Sequence, residues 1–159
     1  RPGEENTSPS TNVPARSLHE PTPGRNSSPT AHVTNIACEN TCVHVERVVP
    51  NLTVSDLSAA VQEHSSVLGF RVLMDHGWII TLGDDAGHQL SVMTHDASAP
   101  VNPDVSIFVD DVHEALTRVK QAGLDVVHPL TDEPWGVRRF FYRASDGRVI
   151  NIGMHIASE

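Results

Sequence analysis

The sequence predicts an α+β protein in which two tandem βαβββ modules form a curved mixed sheet around a cleft. The first observation is that one helix-opening pattern occurs twice, at residues 54–57 and 109–112. The second is that one strand-opening pattern also occurs twice, at residues 87–92 and 147–152. Because the same elements recur in the same order after roughly 50 residues, a duplicated module is the simplest explanation.

The two modules occupy only part of the chain. Residues 1–43 are rich in Pro, Ser, Thr and Asn, and their apolar residues are isolated. Such a segment buries too little surface to offset the entropy of ordering, so we expect a disordered or weakly ordered N-terminal extension. The domain then spans residues 44–159, with module one at about 44–97 and module two at about 104–156.

Module one begins with a strand predicted over residues 45–53, where side chains alternate between two faces. Ser55 is the expected N-cap of the following helix, and Asp56 adds negative charge to its first turn. Gly69 ends that helix. Three short strands are predicted over residues 70–74, 78–82 and 88–94.

Module two repeats this order and ends in a hairpin. The hairpin turn lies at Ser145-Asp146-Gly147, because Asp-Gly between two β-rich runs is a strong hairpin signal. The other predicted elements are a strand over residues 104–109, a helix opened by Asp110 or Asp111 and closed by Gly123, and a strand over residues 124–130.

Composition excludes several kinds of partner. The chain has a net charge of −9 and no Lys/Arg run, so we expect no nucleic acid partner. No apolar stretch approaches the ~20 residues of a membrane-spanning helix, and the N-terminus lacks a signal-peptide pattern, so we expect no membrane partner. The two cysteines, Cys38 and Cys42, exclude a disulfide framework and favour a cytoplasmic location.

Alternation along the strands assigns two faces to the sheet. One face is apolar and is expected to lie under the helices, whereas the other has the mixed polarity that suits a ligand-binding cleft. The residues assigned to the helix-covered face are Val48, Leu52, Leu90, Val92, Val105, Ile107, Ile150 and Ile152. The residues assigned to the cleft face are Val49, Asn51, Thr53, Gln89, Ser91, Met93, Asp104, Ser106, Phe108, Val149, Asn151 and Gly153.

These motifs carry a family resemblance. The paired modules, the Val-Ser-Asp-Leu helix start and the Leu-Gly-Phe at residues 68–70 are similar to the vicinal oxygen chelate superfamily. The segment Pro134-Trp135-Gly136, which precedes an arginine-bearing strand that ends in Asp146-Gly147, is also similar to this superfamily. Within that superfamily, residues 45–156 resemble the glyoxalase/bleomycin-resistance/dioxygenase group. The resemblance implies the glyoxalase/bleomycin resistance fold.

The resemblance also implies where a metal would bind. Metal enzymes of the superfamily use one position on the first strand and one on the last strand of each module, occupied by His, Glu or Gln. Carried over strand by strand, these positions are Val49, Ser91, Asp104 and Asn151. A divalent ion needs several strongly donating ligands, and this set offers one carboxylate. We therefore expect no metal and no other cofactor.

The hairpin is similar to that of the metal-free, antibiotic-binding branch of the family. On that resemblance Trp135 stacks on a planar ligand, with Trp78 as a second candidate, although a tryptophan that follows a proline more often closes a hydrophobic core or a dimer seam than binds a ligand. Arg138 or Arg139 would hold an acidic or carbonyl group, and alternation leaves open which one faces the cleft. The predicted ligand-binding residues are Asn51, Trp78, Ser91, Asp104, Phe108, Trp135, Arg138, Arg139 and Asn151, and no catalytic residue is predicted.

Three functions follow as hypotheses. The first is a metal-independent small-molecule-binding protein that sequesters an antibiotic or a toxic planar compound, and so confers antibiotic resistance. The second is a lyase, isomerase or dioxygenase with an atypical metal site or with acid–base chemistry at Asp104. The third is a dimeric scaffold without ligand chemistry. The resemblance also implies a homodimer, since the clefts of such proteins are completed by a partner.

Overall fold

The computed structural model describes residues 42–156, and it confirms the α+β class and the two βαβββ modules. Expectations about residues 1–41 and 157–159 lie outside the described residues. Module one contains β1 (Val45–Thr53), α1 (Leu57–Leu68), β2 (Arg71–Asp75), β3 (Ile79–Gly83) and β4 (Gln89–Met93). Module two contains β5 (Val105–Val109), α2 (Val112–Gln121), β6 (Asp125–Glu133), β7 (Val137–Arg143) and β8 (Val149–His155).

The strands form one mixed eight-stranded sheet in the order β2-β3-β4-β1-β5-β8-β7-β6. In each module the first and last strands are parallel neighbours, β1 with β4 and β5 with β8. The modules join where β1 and β5 pair antiparallel, with Val49 opposite Ser106. The two modules are therefore related by an approximate twofold axis at the β1–β5 pair, and both contribute to the same cleft face.

The ends of the elements follow local chemistry. Asp56 caps α1 by accepting a hydrogen bond from a first-turn backbone N–H at 3.0 Å, so the expected N-cap at Ser55 was wrong by one residue. Asp111, one of the two predicted residues, caps α2 in the same way. Gly69 ends α1 with a φ of 70°, and Gly147 supplies the predicted β7–β8 turn with a φ of 90°.

The hydrophobic core is much better developed in module two. There α2 packs on β5, β7 and β8 through buried Val109, Val112, Ala115, Val119, Phe140 and Ile152. In module one, Ala60 is the only described residue of α1 that is buried. Val48 and Leu52 are 53% and 41% exposed, so the expectation that α1 covers them was wrong. Within residues 42–156, neither helix has the length and apolar character needed to cross a membrane.

Candidate functional site

A cavity of about 220 Å³ lies on the cleft face of the sheet and is lined by both modules. Its lining confirms the sheet faces predicted by alternation at most central positions. The predicted cleft-face residues that line it are Val49, Asn51, Gln89, Ser91, Met93, Ser106, Phe108 and Asn151.

Amide and hydroxyl groups meet at the centre of this face. Asn51 lies opposite Ser91 in the β1–β4 pair, and Ser106 lies opposite Asn151 in the β5–β8 pair. Nδ2 of Asn51 and Nδ2 of Asn151 both donate to Ser106 Oγ, at 2.9 and 3.0 Å. Asn51 Nδ2 also donates to the Pro103 carbonyl at 3.2 Å, and because a carbonyl can only accept, this bond fixes the orientation of the amide. We call Asn51, Ser91, Ser106 and Asn151 the polar floor.

Asp104 lies outside the polar floor, and the prediction that it lines the cleft is wrong. Its side chain is exposed and does not line the cavity, and its Oδ2 accepts a hydrogen bond from the Val149 N–H at 2.7 Å. The residue that matches Asn51 in module two is Ser106, two positions farther along β5. Alternation determines which face of the sheet each side chain points to. It does not determine which residue on that face lies at the centre of the sheet.

The polar floor does not fit a divalent metal ion. All four of its side chains are neutral, and the Nδ2 groups of Asn51 and Asn151 are donors that cannot bind a cation. The oxygens left to a cation are neutral ones, including the two buried amide Oδ1 atoms that have no hydrogen-bond partner among the described residues. Hard divalent ions require carboxylate-rich oxygen sets, and transition metals favour imidazole or thiolate. Among residues 42–156, no three His, Cys, Asp or Glu side chains come together in a way that could hold a metal ion.

Two tryptophans form an aromatic wall of the cavity. Trp78 precedes β3 and Trp135 lies in the β6–β7 turn, so one comes from each module. Their ring centroids are 5.9 Å apart with an interplanar angle of 60°. The Trp135 ring contacts the other module and also lines the cavity, and its stacking on a ligand stays a prediction. Both rings are half-buried, which leaves surface for stacking on a ligand.

Arg139 lines the cavity, but its charge is already neutralised. It is 4% exposed, its Nε donates to Glu133 Oε1 at 2.7 Å, and its Nη2 lies 2.8 Å from Asp96 Oδ2. The guanidinium carbon also lies 5.2 Å from the Trp135 ring centroid. Two buried carboxylates therefore occupy this cation, and its position suits support of Trp135 better than capture of an acidic ligand.

His128 completes this buried group. It is 6% exposed, and its Nε2 lies 3.8 Å from Glu133 Oε1. Burial, and then the nearby positive charge of Arg139, lower the pKa of His128 from its ordinary value, while Glu133 and Asp96 act in the opposite direction. We call Asp96, His128, Glu133 and Arg139 the buried ion cluster.

Arg138 lies on the other face of β7, so of the two predicted arginines it is the one that does not line the cleft. It donates to both carboxylate oxygens of Asp132 and, at 3.1 Å, to His113 Nε2. The hydrogen bond with Asp132 raises the pKa of Arg138 and lowers that of Asp132. The side chain does not line the cavity.

Sequence reasoning missed two charged residues of the cavity, Arg47 and Asp96. Arg47 shares the alternation phase of Val49 and Asn51, so the pattern carried a signal for it. Its guanidinium carbon lies 4.2 Å from the Phe108 ring centroid. Asp96 lies in the segment between the modules, where no periodicity exists to assign a face.

Of the nine predicted ligand-binding residues, seven line the cavity and two do not. Those that line it are Asn51, Trp78, Ser91, Phe108, Trp135, Arg139 and Asn151. Those that do not are Asp104 and Arg138. Whether the seven bind a ligand stays a prediction.

Comparison with solved structures shows the fold. A glyoxalase/bleomycin resistance protein/dioxygenase superfamily member from Vibrio splendidus 12B01 is 21% identical, over 71% of this chain and 100% of its own, with a TM-score of 0.55. Methylmalonyl-CoA epimerase from Mycobacterium tuberculosis is 17% identical, over 71% of this chain and 88% of its own, with a TM-score of 0.54. An NAD-dependent benzaldehyde dehydrogenase from Legionella pneumophila is 13% identical, over 69% of this chain and 99% of its own, with a TM-score of 0.57.

No curated protein matches the chain. Residues 41–152 match the sequence profile of the Glyoxalase/Bleomycin resistance protein/Dioxygenase superfamily. The matched range includes nearly all of both modules and all four residues of the polar floor. Together with the duplicated βαβββ architecture, this match places the chain in the Glyoxalase/Bleomycin resistance protein/Dioxygenase superfamily.

Proposed function

We propose that the protein binds a small planar compound without a metal ion. By sequestering this compound, it would protect against an antibiotic or a toxic molecule. The observation that carries this proposal is the pairing of a neutral polar floor with an aromatic wall in one cavity. Neutral amides and hydroxyls bind organic polar groups through hydrogen bonds, and tryptophan rings bind flat apolar surfaces. The combination favours recognition over metal-assisted chemistry.

The size of the cavity supports a small ligand. Ligand pockets span roughly 300–1,000 Å³, and this cavity of about 220 Å³ lies just below that range. A compound of one to three fused rings fits such a volume better than a large peptide-like antibiotic. Trp78, Trp135 and Phe108 supply its apolar contacts.

An enzymatic role based on Asp104 has lost its supporting observation, because that carboxylate lies outside the cavity. The carboxylate that does line the cavity belongs to Asp96, which is 1% exposed and paired with Arg139. A proton acceptor held in an ion pair of this kind is poorly suited to remove a proton from a substrate. A ligand-binding role therefore accounts for the described residues better than a lyase, isomerase or dioxygenase role.

A homodimer is the assembly that we propose. Module one exposes several apolar side chains, among them Val48 at 53%, Leu52 at 41% and Val72 at 49%. Exposed apolar surface of this kind is typical of interfaces between proteins. Light scattering across a range of protein concentrations tests the proposal, and a monomer throughout that range contradicts it.

A thermal-shift screen tests the binding proposal. The panel consists of planar antibiotics, aromatic metabolites and thiol adducts, each measured with and without EDTA. A compound at ~100 times its Kd adds about 2.7 kcal/mol, which raises Tm by roughly 5–11 °C at the 2–4 °C per kcal/mol typical of chains of 150–250 residues. Stabilisation that persists in EDTA supports the proposal. The absence of stabilisation by any compound favours the scaffold hypothesis, and near-stoichiometric bound metal in the purified protein contradicts metal independence.

A further inference from the structure

Three arginines lie on or near the cleft, and they differ in their anionic partners. Arg138 is paired with Asp132, and Arg139 is paired with both Glu133 and Asp96. Arg47 lines the cavity, and among residues 42–156 it makes no ion pair with a carboxylate. Glu46, its neighbour in the chain, acts on it only through the electrostatic field. Arg47 therefore brings an uncompensated positive charge to the cavity.

The surroundings of Arg47 fix its guanidinium in place. The guanidinium carbon lies 4.2 Å from the Phe108 ring centroid, and Nη2 donates to His155 Nε2 at 3.2 Å. The His155 ring is itself stacked on Phe108, with centroids 5.0 Å apart and an interplanar angle of 8°. Because the ring and the imidazole come from β5 and β8, two strands of module two hold a cation that belongs to module one.

The guanidinium also retains unused donors. Arg47 Nε is buried and has no hydrogen-bond partner among the described residues. An arginine has five N–H donors and no acceptor, so a single bond to His155 leaves most of them free for a planar oxygen-bearing group. Burial lowers the pKa of Arg47, a sign that water compensates its charge incompletely.

We infer that Arg47 holds the anionic end of the ligand, so that the preferred ligands are planar compounds bearing a carboxylate or a comparable oxygen anion. This inference rests on the proposed function, and it transfers to Arg47 the role first predicted for Arg138 or Arg139. The chain as a whole has an excess of negative charge, with a net charge of −9. Selective capture of an anion by such a protein requires a local cation of this kind.

A matched pair of probes tests the inference. The probes are 2-naphthoate and 2-naphthalenemethanol, which share a flat ring system and differ in the anionic group. The chain contains two tryptophans, Trp78 and Trp135, and both line the cavity, so their indole N–H signals in ¹H–¹⁵N NMR spectra report its occupancy. Each probe is titrated into the wild-type protein, Arg47→Gln, Arg47→Lys and the control variant Arg138→Gln.

We expect wild-type protein and Arg138→Gln to bind the carboxylate at least tenfold more tightly than the alcohol. A hydrogen-bonded ion pair accounts for roughly ten- to hundredfold in affinity. Arg47→Gln should remove this preference and leave the affinity for the alcohol unchanged within about threefold, and Arg47→Lys should retain part of the preference.

Equal affinities of the wild-type protein for the two probes would overturn the inference and leave the proposed function intact. So would a preference that Arg47→Gln retains. If neither probe moved the indole signals at any concentration, the proposed function would fail together with the inference. The wild-type comparison and Arg47→Lys decide the question even if Arg47→Gln does not fold.

Discussion

The two modules share a sheet topology but differ in how their helices cover it. In module two, Val112 and Phe140 are fully buried between α2 and the sheet. In module one, all of β2 is exposed, and Val67 of α1 is 75% exposed. The two modules therefore share their strand order and turns, whereas the helix of module one covers its part of the sheet less completely than the helix of module two does.

Because of this difference, the contacts that stabilise the fold lie mainly in one module, whereas the residues that line the cavity come from both. The cavity is lined by both modules, so ligand binding depends on their relative position across the β1–β5 pair. Most of the buried apolar surface and the buried ion cluster belong to module two or to the segment that leads into it. Module two therefore supplies most of the buried contacts around the site.

Substitutions at the helix–sheet contact of module two and on the helix of module one should give the largest difference in stability. Phe140→Ala removes a fully buried ring from the core of module two and should lower the free energy of unfolding by about 3–5 kcal/mol. Val67→Ala in module one should change it by less than about 0.5 kcal/mol, because that side chain is largely exposed. Urea unfolding followed by circular dichroism measures both values, and similar losses would contradict the described asymmetry.

Removal of the cation from the buried ion cluster should have the next largest effect. Arg139→Gln leaves Asp96 and Glu133 buried without their counter-charge, which should cost roughly 3 kcal/mol of stability. Arg138→Gln serves as the control and should unfold like the wild-type protein, because the Arg138 side chain is partly exposed and is paired with the exposed Asp132.

Acidification should give the smallest of these effects, and it should act through module two. Because the folded-state pKa of His128 lies below the ordinary value of about 6.5, the unfolded chain binds a proton more readily than the folded protein does. Stability should therefore fall as pH drops from about 6.5 toward the lowered pKa of His128. Urea titrations at intervals from pH 8 to pH 5 measure this slope. His128→Gln should flatten it, and an unchanged slope would show that other groups are responsible.

Much of the fold was predictable because it follows from local patterns. The duplicated helix and strand openings predicted both modules, and Asp-Gly at residues 146 and 147 predicted the last hairpin. Alternation placed Asn51, Ser91 and Asn151 on the cleft face. These features depend on residues close together in the chain, where spacing and turn chemistry determine structure.

The rest depends on contacts between distant residues. Asp104 directly precedes β5 and has the same alternation phase as Ser106, so only the offset between paired strands decides which of them joins the polar floor. Arg139 is paired with Asp96, which lies in the segment between the modules, so no pattern within β7 could show that its charge is compensated. Arg47 gains its place in the cavity by packing on Phe108, a contact across the β1–β5 junction.

Calorimetric titration in EDTA tests the central claim most directly, with the compound that gives the largest thermal shift as the ligand. Metal-independent binding in the cavity predicts saturable binding of one molecule per chain, unchanged by EDTA and weakened at least about tenfold by Trp135→Ala or Trp78→Ala. Val67→Ala should bind like the wild-type protein. Binding that EDTA abolishes and a divalent ion restores would contradict the account, as would binding that neither tryptophan substitution changes.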